Sequence, residues 1–162
     1  MRLPTNTTAV YTLKVPSTQK EWKYRPFLVR EEKSLLVAQQ SENPQIMLDT
    51  IKDVIKSCSK TELDVDRLAS FDVEYIFTQL RAVSVGEMVD LLFKCDDCED
   101  EKAVAAVQVD LRQMQVKFPE DHTNKIELFE DVGVIMKYPT VDTLKKIEKS
   151  DQSEIDLSLI HI

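Results

Sequence analysis

Cys95 and Cys98, within LLFKCDDCEDE (residues 91–101), stand three apart on a polar turn. Two thiolates at that spacing can grip one tetrahedral metal ion, zinc above all. A closed structural zinc site takes four ligands, and the chain carries no second CxxC. The residues that could complete one are Cys58, His122 and His161. Cys58 falls on the apolar stripe of a helical pattern, where a third ligand and a small buried hydrophobe are both open readings. His122, in PEDHTNK, reads as a loop histidine. A redox pair fits less well, because a thioredoxin-type cysteine starts a helix whereas this pair sits at a hairpin tip. The flanking Asp96, Asp97, Glu99 and Asp100 would also raise the thiol pKa values. Those four carboxylates lack the EF-hand spacing and its central glycine, so they read as a solvated turn.

Other chemistry finds little support. The chain has two glycines, Gly86 and Gly133, which removes phosphate-cradling loops and nucleophile elbows. The carboxylate pairs Glu31–Glu32 and Asp64/Asp66 have no histidine or lysine placed by sequence to form an acid–base couple. A net charge of −8 argues against nucleic acid as the main partner. The most basic stretch, KEWKYRPFLVR (20–30), reads as a solvated strand face with Trp22, Tyr24 and Phe27 turned to the core. No stretch resembles a signal peptide or a membrane span, and three cysteines do not make a disulfide framework. The expectation is a cytosolic protein that is not an enzyme and uses no nucleic acid or membrane partner.

The elements that must position these residues follow from periodicity. Residues 1–8 read as a polar N-terminal arm. AVYTLKV (9–15) and WKYRPFLV (22–29) read as extended segments, and REEKSLLVAQQ (30–40) carries helix formers. Asn43 and Pro44 mark a helix start, followed by Leu48, Ile51, Val54, Ile55 and Cys58 on one face. A second helix is expected with Asp72 as its cap, Val73, Ile76, Phe77 and Leu80 as its stripe, and Phe71 with Ile76 as a hydrophobic staple. Leu63, Val65 and Leu68 plug the connection between the two. Gly86 releases the chain into a strand, with Arg81 or Glu87 as an ion-pairing residue at that junction.

Beyond Gly86, EMVDLLFK, KAVAAVQVDL and MQVKF read as strands around the cysteine turn, a zinc-ribbon-like hairpin over residues 86–118. NKIELF and GVIMKYP form another strand pair, and a short helix follows Pro139 and Thr140. SEIDLSLIHI (153–162) reads as a capped helix that breaks off on an apolar residue, as in a piece of a longer chain. The class is α+β, one domain over 1–162, with a helical segment at about 43–83 packed with β-hairpins.

YRPFLVREEKSLLVAQQS (24–41), LRAVSVGE (80–87) and KCDDCEDE (94–101), with the helix DTIKDVIKSC between the first two, resemble the baseplate protein family of T-even-type contractile-tailed phages. That family is described as baseplate hub subunit or hub assembly protein, and the resemblance covers roughly residues 20–115. It implies a protein made in the host cytoplasm that helps build the tail baseplate hub, as a structural subunit or as an assembly chaperone. Its partners would be other baseplate and hub proteins. Rival readings are a zinc-ribbon adaptor unconnected with phage and, more remotely, a metal or thiol enzyme.

Overall fold

The computed structural model describes residues 8–94, 104–129, 132–144 and the backbone of 160–161. The α+β class holds. The chain opens with β1 (Tyr11–Lys14) and β2 (Glu21–Tyr24), an antiparallel pair in which Leu13 faces Trp22 and Tyr11 faces Tyr24. Three helices follow: α1 (Val29–Gln40), α2 (Pro44–Cys58) and α3 (Ser70–Ser84). Then come β3 (Met88–Lys94) paired with β4 (Val104–Asp110), β5 (Lys125–Phe129) paired with β6 (Val132–Met136), and β7 (Ile160–His161) on the far edge of β6. Residues 30–40 are helical throughout, so the helical region begins at Val29 rather than near 43.

The core lies where the first hairpin meets α2 and α3. Alternation along β2 turns Trp22 and Tyr24 inward, and their rings stack 4.5 Å apart at 7°. Val54, Ile55 and Cys58 of α2 and Val73, Ile76 and Leu80 of α3 close the cluster, with Val65 and Leu68 as the expected plugs. Asn43 caps α2 as its sequence indicates, its side chain accepting from the Gln45 N–H at 2.9 Å. Gly86, at φ +146°, occupies a backbone region that side-chain-bearing residues rarely enter, and it separates α3 from β3.

Four local expectations are corrected. Asp72 does not cap α3: the helix starts at Ser70, and Asp72 is wholly buried within its first turn. There it accepts the Ser17 N–H at 3.0 Å and the Ser17 hydroxyl, tying the turn between β1 and β2 to α3. Phe71 is therefore inside the helix and forms no staple; its ring meets Phe118 and Tyr138 edge-on. MQVKF is not a strand, because the chain makes a single 3-10 turn at Leu111–Gln113 and then runs without a ladder partner. At the chain end, Ile160–His161 is a strand, not a helix: Ile160 pairs with Met136 and His161 with Ile135. Beside the open edge of β6 these two residues gain ladder hydrogen bonds that an isolated short helix lacks. The rest of that segment lies outside the described residues, as does most of the N-terminal arm.

Glu31 starts α1 from inside. Its carboxylate accepts from the Leu28 N–H (2.9 Å), Arg25 (3.1 Å), Arg30 (2.9 Å) and Ser57 (2.9 Å) while the side chain is buried. Burial alone would raise its pKa. The Leu28 N–H, then Arg25, Arg30 and Ser57, outweigh that and hold it at about 2, against an ordinary 4.5. A carboxyl depressed in the folded state stabilises fully above its unfolded value and loses that contribution as pH falls through the folded one. Acid titration should therefore weaken the fold progressively between pH 4.5 and about 2. Urea midpoints measured across that range should fall less steeply in Glu31→Gln than in the parent chain; parallel curves would refute the assignment.

Candidate functional site

Of the zinc-ribbon-like hairpin expected over 86–118, the described residues contain the two strands that flank the cysteines, without the ribbon's tip. β3 and β4 pair antiparallel over seven positions, from Met88 opposite Asp110 to Lys94 opposite Val104. Cys95 and Cys98 belong to the connection between them, which lies outside the described residues. Cys58 is fully buried on α2, with an Arg25 guanidinium nitrogen 3.7 Å from its sulfur. Burial pushes its thiol up to about 11. His122 meets Tyr138 through a 2.5 Å hydrogen bond and packs beside Phe118, so its structural partner is an aromatic cluster. His161 stands opposite Ile135 in the ladder. Among the described residues no three His, Cys, Asp or Glu side chains gather as a metal site.

The acidic pairs of the sequence separate into different tasks. Glu31 is buried between arginines, whereas Glu32 is exposed. Asp66 receives Lys56 at 2.8 Å and Lys52 at 3.3 Å, which lowers its pKa, and Asp64 pairs with Arg67. Lys52 is itself buried and also bonds Asp142 at 2.8 Å, so it joins α2 to two later segments. Sequence spacing gave no sign of this clamp, because its members lie 14 and 90 residues apart.

What stands out in the second half is uncovered apolar surface. Residues opposite each other in an antiparallel ladder share a face. One face of the β3–β4 hairpin therefore carries Val89 with Val109, Leu91 with Val107, and Phe93 with Ala105. That face has no polar side chain. Its base is half-buried, but Leu91, Phe93 and Val107 remain 40%, 54% and 43% exposed. The opposite face is mixed, with Asp90 accepting from Gln108 and Leu92 beside Ala106. The base is fastened to the body: the Gln79 side chain donates to the Leu111 carbonyl (2.9 Å), the Leu111 N–H donates to Glu87 (2.8 Å), and Glu87 pairs with Arg112. The junction pairing thus uses Glu87 with Arg112, while Arg81 Nη1 has no hydrogen-bond partner among the described residues.

The second β unit repeats the pattern. Ile126, Leu128, Phe129, Val132 and Ile135 are all exposed, Phe129 by 67%. This unit is fixed at its root by Phe71, Phe118, Tyr138 and His122, and by the Ser70 N–H bonding the Pro139 carbonyl at 3.0 Å. A two-stranded ladder such as β3–β4 is marginal alone and gains stability when another surface covers it. The geometry is that of a helical body presenting apolar β surfaces for protein contact.

Comparison with known proteins agrees with this class. A family model described as T4 bacteriophage base plate protein matches residues 8–161, beyond the three segments that carry the resemblance. The chain belongs to that family and is a phage base plate protein. The reading of a zinc-ribbon adaptor unconnected with phage falls with that membership. No curated protein and no solved structure matches the chain. Among the described residues no helix is long and apolar enough to cross a membrane.

Proposed function

We propose that the protein is a hub assembly protein of the phage tail baseplate, formed in the host cytoplasm and acting by protein–protein binding rather than catalysis. The observation that carries this reading is the uncharged face of the β3–β4 hairpin, left exposed on a firmly anchored base. A surface of that kind is costly in a free monomer and suits a protein whose working state is a complex. The same reading allows zinc on Cys95 and Cys98 as a staple of the hairpin tip. Cys58 is better assigned to the core, since metal ligation needs a thiolate and burial disfavours one there.

The test is phage complementation with Phe93→Asp and Leu91→Asp together. Exposed positions tolerate such changes within about 0.5 kcal/mol, so the purified variant should keep the parent unfolding midpoint. Infectious particle yield should fall by about 100-fold or more, the consequence of burying two charges in an interface core at 2 kcal/mol or more each. Undiminished yield from a folded variant would overturn the proposal. Mass spectrometry of purified tails then separates a resident subunit from a departing chaperone.

A further inference from the structure

A groove of about 470 Å³ runs between α1 and the start of α2, and no strand residue lines it. Its walls are Val37 and Ile46, 60% and 46% exposed, over a floor that includes the buried Ala38. The hydroxyls along it are already engaged. Ser34 donates to the Arg30 carbonyl (3.1 Å), Ser41 to Ala38 (2.6 Å) and Thr50 to Ile46 (2.7 Å), so they leave the groove chiefly carbon surface. The charged residues lining it are both cations, Arg30 and Lys33, in a chain whose net charge is −8. Arg30 is shared with Glu31, while Lys33, one turn before Val37, extends into solvent. Beyond Arg30 the groove opens into a polar hollow holding Asp53, which marks where the apolar track ends.

We infer that this groove docks an acidic amphipathic helix of a partner protein, its aliphatic residues over Val37 and Ile46 and its carboxylates against Lys33 and Arg30. Apolar anchors at helical spacing, flanked by charge opposite to the rim, are what such grooves select. The inference rests on the assembly reading and adds to it a second contact with a defined partner chemistry. It needs no contribution from the β surfaces.

The experiment uses the full chain and two synthetic, fluorescein-labelled helical peptides with the same leucine stripe, one flanked by glutamates and the other by lysines. Anisotropy titration should show saturable binding of the glutamate peptide, at least about tenfold tighter than the lysine peptide, a ratio equal to roughly 1.4 kcal/mol. Lys33→Glu should erase or invert the preference, and Val37→Asp should abolish binding while leaving the unfolding midpoint unchanged. Equal or tighter binding of the lysine peptide would sink the inference. So would binding of neither peptide, or binding that survives Val37→Asp. Because the readout involves no phage particle, a failure here leaves the hairpin test of the assembly role standing.

Discussion

Replacing Trp22 with alanine should lower the unfolding free energy by about 4 kcal/mol, the upper part of the range for large-to-small core changes. Trp22 is the single tryptophan of the chain and is 1% exposed. Its indole stacks on Tyr24 and its Nε1–H donates to the Ser59 hydroxyl at 2.8 Å, so one side chain binds the first hairpin to the end of α2. Removing it leaves a ring-sized void beside Val54, Ile55 and Cys58, and three anchored elements cannot collapse to fill it. Trp22→Phe keeps the stacking partner and loses the hydrogen bond and part of the volume, so its cost should be less than half as large. Urea unfolding followed by circular dichroism decides the matter, since the alanine variant loses the natural fluorophore. A cost below about 1 kcal/mol would show that the indole is not the joint between β2 and α2.

Asp72→Ala should cost about 3 kcal/mol. The carboxylate is wholly buried and holds both the N–H and the hydroxyl of Ser17, 55 residues away. Hydrogen bonds to a charged acceptor stabilise by about 1.5–3 kcal/mol each, and the truncation also strands the Ser17 N–H. Asp72→Asn separates charge from shape. Its carbonyl can still accept the Ser17 N–H, so about half the loss should return. Ser17→Ala removes one bond only and should fall between the parent and Asp72→Ala. If instead all three variants unfold together with the parent, the tether contributes nothing. Amide exchange at Ser17 gives an independent reading, because its protection should disappear with the carboxylate.

The legible and illegible parts of the fold divide along a physical line. The start of α2 was open to reading because Asn43 and Pro44 act on backbone groups within two residues of themselves. The stripe of Leu48, Ile51, Val54, Ile55 and Cys58 was equally plain, as were the β3–β4 and β5–β6 pairs. Asp72 was misread because an aspartate near a helix start looks the same whether it bonds its own turn or a distant serine. Here Ala69 supplies the cap position, and the Ser17 loop reaches the carboxylate first. The strand at Ile160–His161 is illegible for a related reason: two residues are too few to carry a period, and pairing with the edge of β6 decides their conformation.

For function, the sequence by itself determined the composition of the surfaces and the family. Scarce glycine and two histidines left no familiar catalytic frame, and segments around Tyr24, Leu80 and Cys95 carried the baseplate resemblance. Periodicity could say which residues share a face, but not whether anything covers it. That was decided by tertiary structure. The core closed around Trp22, Ile55, Ile76 and Leu80, and the faces of β3–β4, β5–β6 and α1 were left uncovered. Burial depends on which elements meet in space, a property of the whole chain, while the pattern of side chains along one element is local.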